Sequence, residues 1–221
     1  MLVTIAVLGG TGKEGSGLAL RWANSGYRVF IGSRAPERAQ AKAEELNAQL
    51  GGTYIAGMSN LEAAKNADVV VLSVPYEAHR AILEEVREAL GGKVMIDVTV
   101  PIIPPHVRQV FVPDGHSASL EAQEFLGEDT KVVAAFQNVS AVHLKDIEHP
   151  VDCDVLVCGN DMDAKADAIH LVKAAGMRGI DAGPLANSVA VEALTPVLLY
   201  INREYQVKGA GIRITGLPVD G

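Results

Sequence analysis

The chain has 221 residues, 48% hydrophobic and 21% charged, which is the composition of a folded globular protein with a sizeable core and not of a disordered chain. Its 27 acidic residues against 19 basic ones leave a net charge of −8, with no electrostatic footprint for nucleic acid or an anionic membrane surface. An anionic ligand must then be met by a local basic cluster, so the placement of the arginines matters more than their number.

In chain order, residues 1–8 carry no basic leader and run straight into a glycine turn, so no signal peptide is expected and the cytoplasm is the expected compartment. Residues 4–8 read as a strand and 12–25 as a helix stopped by Gly26. A strand at 29–31 leads to a helix with Pro36 in its first turn and Gly51-Gly52 at its end. Residues 69–74, 94–96, 132–136 and 155–158 read as further strands, and 76–90 as a helix closed by Gly91-Gly92. Most of these strands are unbroken Val/Ile/Leu runs, as expected for a parallel sheet covered on both faces. The alternation argues for an α/β class, a doubly wound parallel sheet with a Rossmann dinucleotide-binding fold.

After Val98 the pattern changes. Pro101, Pro104, Pro105 and Pro113 exclude a helix interior or a central strand, so a loop over the active-site side is expected before a helix at 117–126. A strand–helix–strand unit from Cys153, a helix at 187–205 and an edge strand at 209–215 complete the reading. This divides the chain into a nucleotide-binding part, 1–148, and a small α/β extension, 149–221. No apolar stretch reaches 18 residues, so no membrane span is expected. Cys153 and Cys158 lie five apart, which on a strand points the two thiols to opposite faces. Free thiols in a reducing compartment follow, and the 6 histidines show no metal-ligand spacing, so no metal is expected.

The chemistry starts at Gly10-Thr11-Gly12-Lys13-Glu14-Gly15, a Gly-x-Gly-x-x-Gly turn between a strand and a helix. Gly10 suits the tight turn, Gly12 a backbone approach to pyrophosphate, and Gly15 close helix–strand packing. The helix start then favours a phosphate. The next strand ends in Ser33-Arg34 with no acid to take a ribose 2′-hydroxyl, and Arg38 follows one turn later. Guanidinium groups there suit a 2′-phosphate, which makes the expected cofactor NADP(H). Two segments flank the expected nicotinamide site, Ser73-Val74-Pro75 and Val98-Thr99-Val100-Pro101. Neither Tyr-x-x-x-Lys nor Lys-x-x-x-Asn is present, so no catalytic acid–base residue is expected. Hydride exchange by positioning of two flat coenzymes fits that lack.

These segments, together with Cys158-Gly159-Asn160-Asp161, Asp181-Ala182-Gly183-Pro184-Leu185-Ala186-Asn187-Ser188 and Glu192-Ala193-Leu194-Thr195-Pro196, resemble the NADPH-dependent coenzyme F420 reductase family. That family in turn resembles the reductase domains of membrane ferric reductases. The resemblance implies reversible hydride transfer between NADP(H) and the deazaflavin coenzyme F420 as co-substrate. It carries the NADP contacts onto Thr11, Gly12, Ser33, Arg34 and Arg38. The deazaflavin pocket falls on Val100, Pro101, Gln137, Asn138, Val139, Ser140 and Ala141, with Gln137 standing where archaeal relatives have His. An NADPH reductase of a flavin or imine, and a non-catalytic NADP(H) sensor, stay open as alternatives. The apolar run at 194–201 exceeds what a small unit can bury, so a homodimer is expected.

Overall fold

The structure, a computed structural model, describes residues 3–217. Strands and helices alternate from the start: β1 (Thr4–Leu8), α1 (Lys13–Asn24), β2 (Arg28–Ser33), α2 (Pro36–Leu50), β3 (Ile55–Ser59), α3 (Asn60–Asn66), β4 (Val69–Leu72), α4 (Tyr76–Val86) and β5 (Val94–Asp97). There follow α5 (Ala118–Leu126), β6 (Lys131–Ala134), a short α6 (Ala141–Leu144), β7 (Asp154–Gly159), α7 (Met162–Ala174), β8 (Arg178–Asp181) and α8 (Ser188–Glu204). One sheet has the order β3-β2-β1-β4-β5-β6-β7-β8. Its pairings are parallel, except that β7 runs antiparallel to β6. The strand order reverses between β1 and β4, where doubly wound sheets bind their ligands at the carboxyl ends.

The unbroken apolar runs are explained by two cores, one on each face. Ile5 and Val7 of β1 join a cluster with Leu18 and Trp22, while Ala6 and Leu8 join another with Phe30 and Leu72. Cys153 and Cys158 likewise fall into opposite clusters as free, buried thiols. The α1 helix ties the first half to the second. Trp22 donates its indole N–H to the Leu171 carbonyl at 2.8 Å and packs edge-on against Phe136. Arg21, 5% exposed, donates to the carbonyls of Leu144, Ala175, His143 and His149 at 2.9–3.1 Å, and to that of Asp146. The sheet therefore runs on through the 148/149 division, and the two parts share a core.

Two sequence expectations need correction. First, β3 and α3 had no counterpart in the reading. β3 is a half-buried edge strand, Ile-Ala-Gly-Met-Ser, with one β-branched residue. α3 is seven residues long, but its capping box of Ser59 and Glu62 was visible in the sequence. Second, residues 209–215 form no strand. β6 pairs with β7 only near its end, at Cys158 and Gly159, and the tail meets only its beginning. There Asp154 N–H donates to the Ile212 carbonyl, and the Asp154 carboxylate accepts from Ile214 N–H and Arg178. Side-chain anchoring thus replaces a ladder. Beside these, Leu185–Glu204 has the length and average hydropathy of a membrane span by composition only, but it holds no unbroken apolar stretch of 18 residues, so that expectation stands; 33% of its most apolar window is buried. Glu192 and Pro196 interrupt the apolar run without undoing its average character.

Candidate active site

The glycine turn leaves β1 through Gly9, whose φ of +71° lies in the left-handed region. A Cβ at Gly9 would stand 2.5 Å from the Ser73 carbonyl oxygen, so the turn lies hard against the segment that leaves β4. Gly10 N–H faces the carbonyls of Val7 and Gly32, each at 3.2 Å. The tight turn expected at Gly10 is therefore shared with Gly9. Gly12 is the N-cap of α1 and is exposed, and no side chain caps the helix. Its first N–H groups are then open to an anion.

Beyond the ends of β1, β4 and β5 lies a cavity of about 410 Å³. Gly12, Lys13 and Glu14 form one side, and Ser73, Val74, Pro75 and Tyr76 form another. Val98, Val100, Ile102 and Pro104 of the proline-rich loop, with Phe136, Gln137, Val139 and Thr195, close it. Its size falls within the range of small-molecule pockets, and its lining is mainly apolar.

About half of the residues expected from sequence line this cavity: Gly12, Lys13, Glu14, Ser73, Val74, Pro75, Val100, Gln137 and Val139. Gly10, Thr11 and Gly15 belong to the turn but do not line the cavity, and Pro101 is buried beside it without lining it. Asn138 is 1% exposed and donates to the Asp154 carbonyl at 2.6 Å and to Cys153 Sγ at 3.3 Å, so it faces β7 and not the cavity. Ser140 leans toward the Lys208 carbonyl, and neither Ser140 nor Ala141 lines the cavity. Ser33, Arg34 and Arg38 lie at the end of β2 and the start of α2, outside the cavity. Ser33 Oγ accepts from Ala35 N–H at 3.2 Å. Arg34 and Arg38 are exposed and form no salt bridge among the described residues.

A buried polar network behind the cavity escaped the sequence reading. Asp97, at the end of β5, bonds His79 Nε2 at 2.7 Å and Thr99 N–H at 2.9 Å. Burial opposes a charge on His79, but the Asp97 carboxylate outweighs it and raises the imidazole's pKa. Gln137 donates to the Asp97 carbonyl at 2.7 Å, while its own carbonyl accepts from Thr195 Oγ1 at 2.6 Å. Glu192 on α8 accepts from Ala118 N–H, Ser119 N–H and Ser119 Oγ at 2.8–3.1 Å, at the start of α5. Burial and then the Asp97 charge push the Glu192 carboxyl up to about 7. These links join α8 to one wall of the cavity. Two lining oxygens take no part in these links, because Glu14 Oε1 and Gln137 Oε1 are both buried without a hydrogen-bond partner among the described residues.

Comparison with known proteins fits this geometry. A family model described as "NADP oxidoreductase coenzyme F420-dependent" matches residues 4–101. The F420-dependent NADP reductase of Methanocaldococcus jannaschii is 45% identical over 224 residues, covering 97% of this chain and 99% of that protein. The chain belongs to the F420-dependent NADP reductase family. The F420-dependent NADP reductase of Methanothermobacter marburgensis is 44% identical over 221 residues, covering 97% of this chain and 99% of that protein. A crystal structure from Arthrobacter sp. fb24, provisionally described as an F420-dependent NADP-reductase, superposes with a TM-score of 0.81 at 27% identity, covering 96% and 99% of the two chains.

Proposed function

We propose that the chain transfers hydride reversibly between NADP(H) and coenzyme F420, and that holding the two coenzymes together in the cavity is its main catalytic device. The observation that carries this reading is the coincidence of an uncapped helix start, an apolar cavity and two buried oxygens without partners at one sheet switch point. The orphaned oxygens fit ligands with N–H or O–H groups, since an unpaired buried acceptor is costly unless a ligand satisfies it. The nicotinamide and deazaflavin rings supply the hydride donor and acceptor. Gly12 and the first turn of α1 hold the pyrophosphate, with Gly10, Thr11, Lys13 and Gly15 shaping the turn. Ser33, Arg34 and Arg38 hold the 2′-phosphate. Ser73, Val74 and Pro75 form the nicotinamide floor. Val100, Gln137 and Val139 face the deazaflavin, and Pro101, Asn138, Ser140 and Ala141 support that wall from behind. Gln137 offers Oε1 as an acceptor where archaeal relatives have His.

The segment 149–221 completes the pocket through Thr195, which fixes the Gln137 carbonyl. We further propose a cytoplasmic homodimer. Val197 and Tyr200 expose 43% and 55% of their surface on an apolar helix, which supports a second copy covering α8. The free, buried cysteines suit a reducing compartment. Mixing enzyme, NADPH and F420 should bleach the oxidised deazaflavin band, while FMN and FAD should leave NADPH unconsumed. NADPH binding without oxidation by F420 would overturn the reading. Light scattering on the eluting protein should give twice the chain mass, and a monomer at micromolar concentration would overturn the dimer.

A further inference from the structure

Glu14 is an unusual side chain for a phosphate-binding turn. It lies in the first turn of α1, lines the cavity, and has one carboxyl oxygen shut off from solvent with no hydrogen-bond partner among the described residues. The other titratable groups on that lining are Lys13, beside it on α1, and Tyr76 of α4. Lys13 is exposed, and neither forms a hydrogen bond to Glu14 Oε1. The remaining walls, from the 98–104 loop, the end of β6 and α8, present no titratable side chain to the cavity. Tyr76 stays neutral up to high pH, because burial and then its 2.9 Å hydrogen bond to Glu121 raise its pKa. With Lys13 exposed and no cation hydrogen-bonded to Oε1, the apolar surroundings favour the neutral acid, and burial pushes the carboxyl up to about 8.

A neutral carboxylic acid differs from a carboxylate in what it can recognise. It donates through O–H and accepts through its other oxygen, whereas a carboxylate only accepts. An amide edge, with C=O and N–H side by side, is the complementary partner and closes a ring of two hydrogen bonds. We propose that Glu14 acts as a neutral acid that pairs with an amide edge of the ligand in the crevice, so that coenzyme binding is linked to a proton. This rests on the cavity being the coenzyme crevice. Two ligands of the reaction carry such an edge: the nicotinamide carboxamide, and the pyrimidinedione ring of the deazaflavin. Glu14 is then a specificity and positioning residue, and no bond is made or broken at it.

The test measures binding and not turnover. NADP+ and F420 are titrated separately into the full-length protein between pH 6.5 and 9.5, for wild type and Glu14→Gln. For the coenzyme that Glu14 touches, the wild-type Kd should rise about tenfold between pH 7 and pH 9, as expected for binding linked to one proton near pH 8. Glu14→Gln keeps a donor and an acceptor at every pH, so its Kd should stay near the wild-type pH 7 value throughout. Calorimetry of the wild type at pH 8.5 in two buffers of different ionisation heat should show uptake of most of one proton. A sloped NADP+ arm beside a flat F420 arm, or the reverse, supports the proposal and identifies the ring. Both arms flat in wild type with no proton uptake, or a slope that persists in Glu14→Gln, would overturn it while leaving the proposed reaction intact. Failure of either coenzyme to bind at any pH would overturn the proposed reaction and this inference together.

Discussion

Gly12 is the position where the demands of the fold and of the ligand separate most cleanly. Its φ of −71° and ψ of 168° are open to any residue, and an added Cβ would meet only the Gly9 carbonyl oxygen, at 3.4 Å. Alanine there replaces a tolerated N-cap by a poorer one, at about 0.5–1 kcal/mol. The stiffer unfolded chain returns about 0.4–1 kcal/mol. The net change in stability for Gly12→Ala is therefore within about 1 kcal/mol of zero. Gly15 is the opposite case, because its Cβ would stand 2.9 Å from Gly10 Cα, a backbone atom that cannot step aside. Gly15→Ala should cost about 1–3 kcal/mol in overpacking. If Gly12 is glycine because pyrophosphate approaches its backbone, the added methyl should weaken NADPH binding at least tenfold, which is about 1.4 kcal/mol. Urea unfolding gives the stabilities, and titration of NADPH fluorescence gives the affinities. A Gly12→Ala protein that folds normally and binds NADPH as tightly as wild type would refute the reasoning.

Three other substitutions test separate parts of the account. Arg34→Ala should raise the NADPH Kd roughly tenfold or more while leaving that for NADH unchanged, because the proposed role of Arg34 is to hold the 2′-phosphate, which NADH lacks; equal weakening of both would remove the assignment. Arg21→Met should lower stability by about 3–5 kcal/mol in urea, since a buried guanidinium serving carbonyls of α6, of the segment after α6 and of Ala175 at the end of α7 is lost; a loss below about 1 kcal/mol would contradict the clamp. The third is a pH profile. Glu14 titrates near 8 in the fold against an ordinary 4.5, so between those values the unfolded chain has shed a proton that the fold keeps. Wild-type stability should fall as pH rises through that window and level off above it. Glu14→Gln should match wild type near pH 4 and exceed it by about 3 kcal/mol at pH 7, and a gap that does not grow with pH would contradict the buried acid.

What could be read from the sequence follows from which physical signals are local. Buried parallel strands such as Thr4–Leu8 advertise themselves, because both faces must be apolar. The helix from Pro36 to Leu50 was bracketed by its proline and by Gly51 in the left-handed conformation. The glycine turn and Ser33-Arg34 were legible because their chemistry is contiguous. β3 was not, since an edge strand half open to solvent carries little apolar signal. The tail at 209–215 had a strand-like pattern, but whether a sheet edge is free to receive it is a non-local fact. The same holds for Thr195, which reaches the cavity from a distant segment. Asn138 shows the converse: two adjacent polar residues at a strand end face different ways, and only Gln137 meets the cavity. Glu14 was read as part of the turn, but the burial of its Oε1 without a partner depends on what the fold brings around it.

The central claim is that the two coenzymes lie face to face in a crevice closed to water. Reducing F420 with NADPH deuterated on one face of nicotinamide C4, and following the label by mass spectrometry and NMR, tests it directly. The account predicts that one of the two labelled faces delivers its deuterium in full to the deazaflavin, even in ordinary water. Loss of the label to solvent, or delivery from both faces, would contradict it.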